Sequence, residues 1–231
     1  MNELSDETLE AYVPRSGFFD PRAVSLAGIP IEDAPHYLYG LARLEFLKRF
    51  LFPAHAACIG NDAGFVLLVG HSGDGKTTTV LKLIREHGYR LFSGNKTVVG
   101  FSQSTMTAVA GTKAVTELTA TGRQIFNLEK AEYETQISVP IRCVIKLRLN
   151  DGVETSKRLT PISALHTLYP FFLDTVNADV ILGKGERVLS GNPSQAVREY
   201  LATELAKALE TVPTYTIAGS LPYVITTIQN I

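Results

Sequence analysis

The chain has no apolar run approaching the roughly 20 residues that a membrane-spanning helix requires, and no internal repeat or low-complexity tract. Membrane spans, solenoids and composition-driven disorder are thereby set aside. It does not open on the basic-then-apolar layout of a secretory leader, since Met1-Asn2-Glu3-Leu4-Ser5-Asp6-Glu7 is acidic. Cysteine is scarce. Cys58 and Cys143 lie far apart, each within an apolar strand-like run. Buried free thiols are expected there, not a disulfide or a metal pair. Neither sign of charge dominates: 22 Lys and Arg against 23 Asp and Glu give a formal net charge of −1. That balance removes the electrostatic case for a nucleic-acid partner or an anionic membrane. A cytoplasmic location is expected.

What the chain does have is apolar substance and one motif. Its 231 residues are 45% hydrophobic, enough for a single domain with a sizeable core. Gly70-His71-Ser72-Gly73-Asp74-Gly75-Lys76-Thr77-Thr78 fits G-x-x-x-x-G-K-[ST], the phosphate-binding P-loop pattern. Before it, Phe65-Val66-Leu67-Leu68-Val69 reads as a buried strand, and after it Val80, Leu83, Ile84 and His87 recur at helical spacing. In such a strand–loop–helix, backbone amides and the positive end of the helix face an anion. Lys76 would bridge the β- and γ-phosphates of ATP or GTP, and the Thr77 hydroxyl would ligate Mg2+.

Two competing motifs fail. A hydrolase nucleophile elbow around Ser72 needs glycine where Asp74 stands. Asn95-Lys96-Thr97-Val98 begins like the N-K-x-D signature of GTPase switches, but Val98 occupies the aspartate position.

Residues 1–36 are rich in turn formers (Pro14, Gly17, Pro21, Gly28, Pro30) and read as a lead-in segment. The nucleotide-binding domain would then run from 37 to 231, with a helix over 37–51 carrying Leu38, Leu41, Leu44, Leu47 and Leu51. Residues 53–60 are predicted as one strand, forming a hairpin with the strand before the glycine-rich loop through Asn61-Asp62-Ala63-Gly64. That hairpin would bring His55 within reach of the phosphate site. Gly88 is the expected terminator of the helix after the loop. From Arg90 to about residue 159 the texture is β, unlike the alternating pattern of doubly wound nucleotide binders.

Ile141, Cys143, Ile145, Leu147 and Leu149 alternate on one strand, and Asn150-Asp151-Gly152 predicts a hairpin returning through 153–159. Helices are predicted over 160–176, from a cap at Asn192-Pro193, and over 221–231, with a strand at 214–217. The predicted fold class is α/β: a P-loop on a mixed, β-rich sheet in a single domain.

The loop at 70–78 resembles that of HPr kinases and phosphoenolpyruvate carboxykinases. His55-Ala56 upstream, Gly88-Tyr89-Arg90-Leu91 after the helix and Tyr215-Thr216-Ile217 are similar to that family as well, so the resemblance spans about residues 40–231. It implies a catalytic role for His55 and also admits a homo-oligomer. It breaks at one place. Where the family carries an Asp-Asp pair that binds Mg2+ and supplies the base, this chain has Gly94-Asn95. Asn95 offers a neutral amide oxygen to a metal but takes no proton. His55 is then the candidate base, with Asp62 and Glu117 as alternatives; Lys113 or Arg123 could steady a phosphoryl group.

The expected function is a kinase passing the γ-phosphate to a hydroxyl of a small metabolite or of a serine in a protein or peptide. The alternative is a nucleotide-binding sensor without transfer. Carboxykinase activity itself is not expected, because the matching metal and carboxylate-binding residues are missing.

Overall fold

Caps and turn formers set several of the helix ends. The computed structural model describes residues 20–30, 33–113, 115–119, 122–126, 128–173, 179–182, 187–190 and 192–231. In chain order it has α1 (Ala34–Lys48), β1 (Phe52–Ala54), β2 (Ala56–Asn61), β3 (Gly64–Val69), α2 (Lys76–His87), β4 (Arg90–Ser93), β5 (Thr97–Ser102) and β6 (Thr105–Gly111). Then follow β7 (Val115–Thr119), β8 (Gly122–Phe126), β9 (Val139–Leu149), β10 (Thr155–Arg158), α3 (Pro161–Leu173), β11 (Asp179–Leu182), β12 (Arg187–Ser190), α4 (Gln195–Leu209), β13 (Thr214–Gly219) and α5 (Leu221–Asn230). Pro35 fits the first turn of α1, where no amide partner is needed. Gly88, at φ 69°, closes α2. Ser194 and Ser220 accept amide hydrogens from Val197 and Tyr223 and so cap α4 and α5.

β9 is the strand on which the mixed sheet turns. Its start pairs antiparallel with β6 (Ala108↔Val139), its middle parallel with β3 (Leu68↔Ile145), and its end parallel with β13 (Ile217↔Leu147). β2 lies antiparallel between β3 and β4, β5 lies between β1 and β6, and β10 pairs antiparallel with β13.

The alternation of strand side chains divides the core. Cys58, Leu67 and Val69 face α3 and α4, packing on Leu168, Phe172, Leu201 and Leu205. Ile59, Val66 and Leu68 face α2 and α5, packing on Val80, Leu83, Val224 and Ile228. All of these are at most 1% exposed, so each contributes about 1.5–3 kcal/mol of burial. α1 covers β5 and β6 through Leu38, Ala42 and Phe46 against Val98 and Ala110. No helix among the described residues is long and apolar enough to cross a membrane.

Several expectations shift. The predicted strand 53–60 is two strands with a bend at His55, because Phe52–Ala54 pairs with β5 while Ala56–Asn61 pairs with β3 and β4. The turn at Asn150–Gly152 exists, with Asn150 Oδ1 accepting from Gly152 N at 2.9 Å. Its returning strand, however, does not pair with β9. β13 takes that edge of β9, and β10 pairs outside β13. The face expected for β9 also breaks. The register shifts between Phe65 and Val66, which turns Ile141 to the α3/α4 side while Cys143, Ile145 and Leu147 face α2 and α5. α1 begins and ends three residues earlier than predicted, and Gly40, Ala42 and Arg43 fill its buried face between Leu38 and Phe46. α4 is capped by Ser194, two residues past Asn192.

Candidate functional site

β3 is covered on both faces and flanked by β2 and β9, so its end is a fixed platform for the loop Gly70–Gly75. The loop turns on two glycines in the left-handed region, Gly73 at φ 87° and Gly75 at φ 88°. A Cβ on Gly73 would meet no atom within 4 Å, so conformation alone calls for glycine there. At Gly75 a Cβ would lie 2.4 Å from the Leu149 side chain, so conformation and space coincide. The loop is fastened to its neighbour strand by Leu149 N donating to Asp74 O at 2.9 Å.

α2 starts at Lys76, which is 7% exposed. Its Nζ donates to Gly70 O at 2.7 Å and to His71 O at 2.9 Å. Burial pushes the ammonium down to about 8; the Asp74 carboxylate works against that shift, and the Lys96 charge adds to it. Asp74 Oδ2 accepts from His71 N at 2.6 Å. His71, Ser72 and Gly73 are exposed; Thr77 and Thr78, in the first turn of α2, are half-buried.

Three further groups stand on the elements next to this loop. Ala56 pairs with Val69, so the register carries His55, at the bend just before Ala56, alongside Gly70; it is half-buried. Asn95 sits in the turn joining β4 and β5. Thr112, fully buried, holds that turn: its Oγ1 accepts from Asn95 N and Lys96 N at 3.3 Å each, and its carbonyl accepts from Gly94 N at 2.8 Å. Thr97 Oγ1 donates to Ala56 O at 2.9 Å, tying the end of this turn to the residue after His55. Finally, Lys146 pairs with Val69 on β9. Its ammonium lies 6.0 Å from the centre of the Phe171 ring, which also contacts the His71 ring at 5.1 Å.

Sequence reasoning missed Lys96 and Lys146. Lys96 has the failed N-K-x-D stretch as a faint signal, whereas Lys146 reads only as the polar partner in an alternating strand.

Other candidates stay apart. Asp62 is in the turn at the far end of the β2–β3 hairpin, about 20 Å of strand from Gly70. There it pairs with Arg90 at 3.5 Å and is no base for this site. Lys113 donates to Glu134 O at 3.2 Å and lies 4.8 Å from the Phe92 ring centre. The side chains of Glu117 and Arg123 lie outside the described residues. Both cysteines are free and buried, and burial raises each thiol (Cys143 to about 11), so neither is a nucleophile at neutral pH. Among the described residues no group of three or more His, Cys, Asp or Glu side chains could hold a metal ion. What the arrangement offers is a set of backbone amides, a helix N-terminus and nearby lysines, which is the chemistry of anion binding.

No family model matches the chain, and no curated protein does. Among solved structures, the HPr(Ser) kinase/phosphatase from Coxiella burnetii is similar over 77% of this chain and 91% of that one, at 11% sequence identity and a TM-score of 0.42. A likeness at that level carries no argument, and the chemistry rests on the residues themselves.

Proposed function

We infer that the chain is a nucleoside triphosphate-dependent kinase, binding ATP or GTP with Mg2+ at residues 70–78 and passing the γ-phosphate to a hydroxyl. The acceptor is a small metabolite or a serine of a protein or peptide. The observation that carries this reading is Lys76, a nearly buried ammonium on the first residue of α2, directly after two left-handed glycines at the end of a buried strand. Burial without a carboxylate bonded to its Nζ is costly for a cation, and a phosphate would offset that cost.

The roles follow from placement. Lys76 and the loop amides neutralise charge on the phosphates. His55, alongside Gly70, takes the proton of the attacking hydroxyl. The donors Thr77 and Asn95 suit a divalent ion that arrives on the nucleotide, since the phosphates supply the charged ligands. When bound, that ion neutralises charge on the β- and γ-phosphate oxygens.

One observation favours a second reading, nucleotide binding without transfer. The turn between β4 and β5 carries Gly94 and Asn95, neither of which takes a proton, where a kinase of this kind would hold a carboxylate base.

Incubation with MgATP and a panel of hydroxyl acceptors separates the two. ADP release that depends on one acceptor and vanishes in Lys76→Ala supports the kinase. Tight binding with no turnover on any acceptor supports the sensor. No calorimetric signal with ATP, GTP or their diphosphates at saturating Mg2+ overturns both.

A further inference from the structure

An anion-binding loop works by presenting unpaired amides, yet here one of those amides is taken by the loop's own carboxylate. His71 N donates to Asp74 Oδ2 at 2.6 Å, the short distance of a charge-assisted bond. The same oxygen lies 3.1 Å from where a Cβ on Gly70 would stand, so the carboxylate is folded over the Gly70–His71 backbone. Lys76 is turned the same way, with its ammonium on the carbonyls of Gly70 and His71. A second bond, Asp74 N to His71 O at 3.2 Å, closes the turn. The loop therefore engages three of its donors internally, the His71 and Asp74 amides and the Lys76 ammonium, and it places a negative charge in a cradle suited to one.

We propose that Asp74 is a resident anion that the ligand must displace, and that this makes the site selective for polyphosphates. The inference rests on the nucleotide-binding reading above and deepens it. A tethered carboxylate competes at the millimolar or higher effective concentration of a short intramolecular link. A ligand that offers a single anionic group gains no more from the His71 amide than Asp74 already does. A di- or triphosphate reaches further amides and Lys76 at once, so it can repay the displaced contact. Asp74 is thus a specificity-determining residue. Its backbone belongs to the cradle, and its side chain sets the threshold for entry.

The test is calorimetry of the full chain with MgATP and with orthophosphate, on wild type, Asp74→Ala, Asp74→Asn and the double variant Asp74→Ala/Lys76→Ala. The proposal expects Asp74→Ala to bind MgATP about tenfold tighter than wild type, the worth of one released charge-assisted bond. Orthophosphate binding should become measurable in the same variant. Asp74→Asn, which keeps the acceptor and drops the charge, should fall between. It also keeps the test informative if Asp74→Ala loosens the fold, which a thermal unfolding scan would show. The double variant should bind MgATP more weakly than Asp74→Ala, because the ammonium that pairs with the phosphates is gone. Wild-type affinity that is unchanged or weakened in both single variants overturns the inference while leaving the nucleotide-binding reading intact. Binding by none of the four proteins overturns both.

Discussion

Lys76 joins the site to the stability of the whole chain through one proton. Its ammonium has a folded value of about 8 against an ordinary 10.5, chiefly because it is buried. A phosphate pairs with the charged form, so nucleotide affinity should be full below about pH 8 and fall as pH rises beyond it. Lys76→Arg, which stays charged, should flatten that profile; calorimetry across the alkaline range reads both. For stability, the unfolded chain holds this proton more tightly than the folded chain between about pH 8 and 10.5. Stability of wild type relative to Lys76→Met should therefore rise through that window, as urea midpoints would show.

Glu134 is shifted in the same direction, down, but there it is the charged form that the fold favours. Burial works to raise its carboxyl, but the Gln136 and Thr135 amides and Arg90 outweigh that and hold it below the usual range. Its contribution is present above about 4.5 and is lost as pH falls through the lowered folded value. Glu134→Ala should cost about 1–3 kcal/mol at neutral pH, because two amides lose their acceptor, and progressively less in acid. Denaturant titrations at the two pH values check it.

Elements carry their own predictions, and Gly75→Ala is the sharpest. It combines a left-handed backbone at φ 88° with a collision against Leu149. The backbone part should cost about 1 kcal/mol and the collision another 1–3 kcal/mol. In a double-mutant cycle, Leu149→Ala should relieve most of the second part, since Cγ and Cδ1 at 2.4 Å go and only the Leu149 Cβ at 2.9 Å stays, and leave the first. Such local constraints are why the strand–loop–helix could be read from 65–87 without a structure: apolar alternation, spaced glycines and a terminating Gly88 each act over a few residues. The β2–β3 turn, the cap near residue 194 and the start of the last helix were legible, to within two residues, for the same reason.

What could not be read was partner choice. Nothing within 150–159 tells β10 that the edge of β9 belongs to a strand 56 or more positions beyond it in the chain. Likewise the break at His55 comes from β5 pairing with β1, not from any breaker between Ala54 and Ala56. Lys96 and Lys146 stayed hidden because adjacency to the loop is a property of sheet register, and sequence spacing does not carry it. The role of the Asp74 side chain was hidden too, since a motif position written as "any residue" says nothing about a carboxylate bent back on its own loop.

At the scale of the molecule, β13 and α5 act as a keystone although they come last in sequence. β13 bridges β9 and β10, and Ile217, Val224, Ile225 and Ile228 complete the core on the α2 side. Removing residues 214–231 should therefore abolish cooperative unfolding rather than trim the molecule, leaving α2 without its packing partner. Near-ultraviolet circular dichroism and thermal scans of the deletion would show this as loss of a defined transition. The pairing of β9 with strands far away on both sides in sequence also makes for slow folding by topology.

The short fastening of Leu149 N to Asp74 O continues through Asn150 N to Gly219 O, immediately before the cap of α5. The residue whose side chain occupies the cradle is thus stitched by its backbone to the hem where β9, β13 and the closing helix meet. The cradle is fastened at the seam between the chain's middle and its end.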